Sequence, residues 1–177
     1  MATATVRPAT DDDVDSIVAI QDRTWRTAYA GLLPEAAFDG LTSEAARSHW
    51  RDAVHAGDDF HLLVAVEGAE TVGFCAAARY SGGDGRSIAE ISALLVEPRW
   101  GRRGHGGRLL AAAATALRES GSQTGRAWLP ETDTASRGFY ARAGWAPDGA
   151  ARTLDTGSGG TLREVRVGGT LDLRLVG

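Results

Sequence analysis

Between the apolar run "EISALLVEP" and the alanine- and leucine-rich run "LLAAAATALRES" the chain places "RWGRRGHGGR", which holds four glycines and four arginines. A segment that reads as a strand therefore leads, through a bend with little side-chain bulk, into a segment of helix-forming composition. Gly101, Gly104, Gly106 and Gly107 let the backbone turn its amides toward one point and let a ligand approach without meeting Cβ atoms. The first amides of the following helix have no intrahelical partner and its dipole adds positive potential there, so an anion, phosphate above all, is the natural occupant. Arg99, Arg102, Arg103 and Arg108 add cations suited to a ligand with more than one phosphate.

The surrounding pattern restricts which phosphate-binding fold this is. "TVRPAT" reads as a short strand, and "TDDDVDSIVAIQDRTWRTAYAGLLP" follows as a helix capped by Thr10 or an early Asp and ended by Gly31 and Pro34. A second helix is expected in "SEAARSHWRDAVHAG", capped by Ser43 and closed by Gly57. "FHLLVAVEGAETVGFCAAARY" then reads as two strands joined at Glu67 to Glu70, and "SGGDGRS" as the turn into "IAEISALLVEP", giving an antiparallel meander. A dinucleotide fingerprint needs an all-parallel βαβ unit at its start, which this order excludes. Beyond the helix that ends at Gly121, "GRAWLPE" reads as a strand, "TASRGFYARAGW" as a helix stopped by Gly144, and "RTLDTG" with "LREVRVGGTLDLRL" as a terminal hairpin. In that last helix Ala135 and Phe139 are expected on a core-facing stripe, with Tyr140 and Ser136 on an adjoining face.

Composition narrows the chemistry. At 177 residues with 43% hydrophobic side chains the chain suits one well-cored domain, residues 1–177. A net charge of −4 argues against binding nucleic acid or an anionic membrane through the overall field. All 19 basic residues are arginine, so a Walker-type lysine, a pyridoxal Schiff base and a Ser-Lys dyad are excluded. A single cysteine, Cys75, lies in an apolar strand and is expected to be a buried hydrophobe. His49, His55, His61 and His105 show no metal spacing, so no metal is expected, and His105 is expected to face solvent from the glycine bend. No apolar leader or membrane-length run is present in the sequence, and the expected location is cytoplasmic.

Two stretches then carry a resemblance. "EISALLVEPRWGRRGHGGRLL" resembles the central motif of the GCN5-related N-acetyltransferase (GNAT) family, in which an apolar strand leads into Q/R-x-x-G-x-G/A and a helix. "ETDTASRGFYARAGW" resembles the family's next motif, an Asn or Asp followed by Ala or Ser, Phe-Tyr and a Gly-aromatic end. The opening "VRPATDDDVDSIVAI" and "TWRTAYAGLLP" are similar to the bacterial branch, so the likeness runs nearly end to end. It implies an α+β fold of three layers, a mixed and mostly antiparallel sheet of about seven strands with helices on both faces. It also implies transfer of an acetyl group from acetyl-CoA to an amine, with acetyl-CoA as cosubstrate.

Site residues follow from the resemblance position by position. Leu94, Leu95 and Val96 would pair with the pantetheine arm, and Arg102, Arg103, Gly104, His105, Gly106 and Gly107 would meet the pyrophosphate. Gly101 stands where the family usually has Gln or Arg, which shifts the expected contact onto the amides of Arg102 through Gly107. Tyr140 falls at the position of the tyrosine beside the coenzyme sulfur, a general acid for the departing thiolate. Glu90 matches an acidic residue at the head of the same strand and would be the base, a charge partner of the ammonium, or an ordinary strand-end carboxylate. Asp133 would bond the pantetheine or cap its helix, and Ser136 joins it at the coenzyme. Trp25, Tyr29, Phe38 and Trp50, at helical spacing, read first as core; the family places these helices beside the acceptor, which makes Trp25 and Tyr29 candidates for substrate contact. The expected acceptor is a small-molecule primary amine, with a protein amine or a non-catalytic CoA-binding module as alternatives, and the terminal strands are expected to pair two copies into a homodimer.

Overall fold

A computed structural model describes residues 3–157 and 159–174. Seven strands form one sheet, and four α-helices cover it. In chain order they are β1 (Ala4–Pro8), α1 (Val14–Ala28), α2 (Glu44–Val54), β2 (Phe60–Glu67), β3 (Glu70–Ser81), β4 (Ser87–Val96), α3 (His105–Glu119), β5 (Thr124–Pro130), α4 (Thr134–Arg142), β6 (Ala146–Asp155) and β7 (Thr161–Thr170).

Strand order in the sheet is β1-β2-β3-β4-β5-β7-β6. Every neighbouring pair is antiparallel except β4 and β5, which run parallel. The mixed, largely antiparallel sheet of seven strands is the architecture the resemblance implies. The first strand of the terminal hairpin begins at Ala146, earlier than the "RTLDTG" expectation, because Pro147 already pairs with Val167 before a bulge at residues 148–150. Of the two terminal strands only β6 has a free edge, since β7 is paired on both sides.

Both faces of the central strands are buried, and their alternation separates two cores. Leu62 and Val64 of β2 and Phe74 and Ala76 of β3 pack with Ile17, Val18 and Ile20 of α1 and Trp50 of α2. Their neighbours Leu63, Ala65, Cys75 and Ala77 point the other way, onto Leu109, Leu110, Ala113 and Leu117 of α3. The period of two in the strands and of 3.6 in the helices thus builds three layers.

Local chemistry fixes the helix ends. Asp13 accepts from the Thr10 amide at 2.8 Å and is held by Arg7 at 2.7 Å and 3.0 Å, which sets the entry to α1. Ser43 caps α2 through the Ala46 amide at 3.1 Å. Gly144, at φ +85°, ends α4 in the left-handed conformation that glycine adopts without strain.

Trp145 is the largest fully buried side chain and lies where β5 and β7 pack on α4. Its indole donates to the Thr170 carbonyl at 3.0 Å and stacks on Tyr140 at 5.3 Å. A Cβ on Gly169 would stand 2.6 Å from the Trp145 ring. Gly169→Ala should therefore destabilise the fold by about 1–3 kcal/mol through overpacking, read as a lower urea midpoint at unchanged slope.

Candidate active site

β4 and β5 are bridged at two positions only, Glu90 with Arg126 and Ile91 with Ala127. Directly after Ile91 the β3–β4 register slips, so that Ala77 faces Ile91 while Ala76 faces Ala93, leaving Ser92 as the extra residue. Such a bulge bends its strand and increases its twist; here the Ser92 hydroxyl donates to the Ala76 carbonyl at 3.2 Å. Beyond it β4 turns away from β5, and a cavity of about 1130 Å³ opens between the strands. The backbone of Leu94, Leu95 and Val96 pairs with β3 on one side. Its other side has no strand partner and faces the cavity.

Glu90 does not reach this cavity. Its carboxylate accepts from Arg126 Nε at 2.8 Å and from the Tyr80 hydroxyl at 3.0 Å, and it is absent from the described lining. Since Glu90 and Arg126 are also a backbone-bridged pair, their ion pair clamps the strands one residue before the pairing ends at Ile91 and Ala127. The structure thus separates Glu90 from the candidates that line the cavity and gives its carboxylate two partners outside it.

The glycine bend forms the floor at one end. Arg102 at φ +61° and Gly104 at φ +80° both lie in the left-handed region, and α3 starts at His105, within the bend. Among the described residues the amides of Arg102 through Gly107 donate to no protein acceptor. Six successive free amides, curled by two left-handed residues at a helix N-terminus, make a concave anion receptor.

The arginines around it are less available than their number suggests. Arg99 pairs with Glu70 at 3.0 Å and Arg103 with Glu67 at 3.2 Å. Arg108 donates to the Arg103 carbonyl at 2.8 Å. Among the described residues Arg102 alone of the four takes no partner.

His105 corrects its solvent-facing expectation: it is 1% exposed. Its Nε2 lies 2.7 Å from Glu67 of the β2–β3 turn, 38 residues away, and its ring sits edge-on to Trp100. Nδ1 is buried without a partner. Glu67 thereby ties the start of α3 to the neighbouring hairpin.

Tyr140 is the only buried residue of α4. Ala135, expected in the core, is exposed, and Phe139 is half-buried. The inward face of this helix is therefore one position on from the expected stripe. Burial pushes the Tyr140 phenol well above its usual range, with Cys75 adding to the effect, so the group stays protonated and is a donor. Asp133 caps the helix, accepting from the Ser136 amide at 2.9 Å and hydroxyl at 2.6 Å. All three line the cavity.

Trp25 of α1 and Tyr29, the residue that follows its last turn, also line it, with ring centroids 5.3 Å apart. Phe38 is buried away from it, and Trp50 is both core and wall. Burial first, then the charges of Glu164 and Asp133, raise the Tyr29 phenol to about 12. Glu164 and Trp128 are lining residues that the sequence reading did not single out. The alternation in "LREVRV" and "RAWLP" carried a signal for facing positions, but which face is the cavity depends on strand order.

The cavity thus joins a free strand edge, an amide receptor and a buried phenol in one cleft, an arrangement suited to acyl transfer from a long phosphate-bearing donor. The model of the acetyltransferase (GNAT) domain matches residues 58–147. The chain belongs to that family. No curated protein matches the sequence. Among solved structures, the PaiA N-acetyltransferase of Thermoplasma acidophilum in complex with coenzyme A is similar over 92% of this chain and 98% of that one, with 16% identity and a TM-score of 0.75. The ribosomal-protein-alanine N-acetyltransferase of Brucella melitensis gives 19% identity over 94% and 99%, with a TM-score of 0.75. YncA of Salmonella typhimurium with acetyl-CoA gives 18% over 98% and 96%, with a TM-score of 0.72. At these identities the likeness is one of fold.

Removing the Glu67 carboxylate leaves His105 buried with both ring nitrogens unpaired. Glu67→Ala should cost about 1–3 kcal/mol, measured by urea unfolding, and Glu67→Gln less than that.

Proposed function

We propose that this acetyltransferase moves the acetyl group of acetyl-CoA directly to a primary amine of a small molecule. The observation that carries the reading is the fork between β4 and β5: a free strand edge leads from the amide receptor to the Tyr140 hydroxyl within one cavity. The residues present fit the donor. Six free amides and Arg102 suit a pyrophosphate, and the open edge of Leu94 to Val96 suits the amides of a pantetheine arm. Bound there, acetyl-CoA supplies an acyl group activated as a thioester.

The protein's own groups then have three tasks. The unpaired β4 edge orients the thioester and directs an amide at its carbonyl, where negative charge develops. An incoming ammonium must lose one proton before it attacks and another as the new C–N bond forms. Tyr140, held protonated by burial, gives its proton to the departing sulfur as the C–S bond breaks and recovers one from the amine nitrogen or solvent. Overall one ammonium and one thioester become one amide, one thiol and one released proton.

Release of free thiol from acetyl-CoA across a panel of amines tests this reading. Thiol release that requires an amine is expected; tight CoA binding with no release for any acceptor would support a sensor instead. Tyr140→Phe should lower kcat by about 10²-fold, the usual worth of a positioned acid, with CoA affinity unchanged. A Cβ on Gly106 would stand 3.2 Å from the Phe139 ring and would also crowd the amide receptor. Gly106→Val should accordingly weaken CoA binding, measured by calorimetry, more than Arg102→Ala does.

A further inference from the structure

Glu164 is a buried carboxylate that the chemistry above does not use. It sits on β7, opposite Pro130 of β5 and Arg152 of β6, and its side chain is 10% exposed. Arg152 Nε holds Oε2 at 2.6 Å. Among the described residues nothing donates to Oε1, and that oxygen is not sealed in the protein. Because Glu164 lines the cavity, the open side of Oε1 is the cavity.

The walls beside it are apolar and aromatic. Trp25 and Tyr29 stand edge to face at the end of α1, and the Trp128 ring lies under Arg152, whose guanidinium carbon is 4.3 Å from the centroid. Leu154 and Leu162 pair across β6 and β7 and both line the cavity, which accounts for the 38% exposure of Leu154. The charged side chains here are already committed in part: Arg152 to Glu164, Arg166 to Asp148 at 2.6 Å, and Asp133 to Ser136. The lining arginines Arg102, Arg108 and Arg142 belong to the glycine bend, α3 and α4.

We infer that Glu164 Oε1 receives the ammonium of the acceptor, and that the acceptor is an apolar primary amine of arylalkyl type with no carboxylate beside its nitrogen. This rests on the acetyl-transfer reading and names its substrate class. An ammonium fits the open oxygen as a charge-assisted donor, and the Trp25 and Tyr29 rings favour both a cation and an apolar body. A carboxylate adjoining the amine would be brought toward Glu164 and Asp133, where like charge opposes it. Glu164 also offers a destination for the first proton: the ammonium N–H bond breaks, Oε1–H forms, and the neutral amine keeps the electron pair that attacks the thioester.

Phenethylamine, phenylalanine and phenethyl alcohol separate the contributions. With acetyl-CoA saturating, kcat/KM for phenethylamine should exceed that for phenylalanine by about tenfold or more, and Glu164→Gln should raise the phenethylamine KM by about tenfold, the worth of one charge-assisted hydrogen bond. The variant should leave inhibition by phenethyl alcohol and the affinity for CoA unchanged. Preference for phenylalanine, or equal loss of amine and alcohol binding in Glu164→Gln, would overturn the assignment. If no amine yields thiol, the acetyl-transfer reading fails. Calorimetric binding of amine against alcohol, in both the wild type and Glu164→Gln, then still decides the role of Glu164.

Discussion

Everything functional in this molecule depends on two parallel strands that are allowed to touch at two positions and no more. A sheet normally satisfies its backbone groups strand to strand, and an unpaired row inside a protein is costly. Here the bulge at Ser92 ends the pairing, and the released groups of Leu94 to Val96 line a cleft instead of a core. The Glu90–Arg126 ion pair with the Tyr80 hydroxyl sits at the vertex of that fork. The sheet can remain open on one side of the vertex because it is closed firmly on the other, where both faces of β2 and β3 are packed under helices.

The same division between structural and binding duties runs through the arginine-rich bend. Glu67 and Glu70, at the two ends of one tight turn, take up Arg103, His105 and Arg99. At the other side Arg23 grips Glu97 with two hydrogen bonds of 2.6 Å and 2.7 Å, fixing the end of β4 to α1. Three carboxylates from two separate segments thus hold the loop in shape, and the attraction for an anion falls mainly to backbone dipoles. Amide receptors of this kind are rigid and need no side chain to be ordered on binding.

Much of this was legible in the residues because periodicity reports local structure. Apolar runs bounded by turn residues mark β2, β3 and β4, the Gly-Arg bend marks the start of α3, and the capping residues Ser43 and Asp133 stand where their helices begin. What escaped depends on partners far away in the chain. His105 reads as a solvent-facing loop residue until Glu67 is brought to it by the hairpin. The partner of Glu90, Arg126, is placed beside it only by a parallel pairing across a whole helix. Glu164 sits in a strand that alternates charged and apolar residues, and its inward side is defined only once β7 is inserted between β5 and β6. The inward face of α4 lies one residue from the expected stripe because a nine-residue helix has too few turns to fix its phase.

Cys75 lies wholly buried in β3, and burial raises its thiol to about 12. It is the chain's one sulfhydryl. While the sheet is intact, electrophilic dyes and oxidants have no protein thiolate to attack, so a reagent that counts sulfhydryl groups reads liberated coenzyme against a silent background. Once the sheet comes apart the same group becomes reactive. The molecule thus contains a single-hit chemical clock for its own global opening, at a position that needs no label to be engineered.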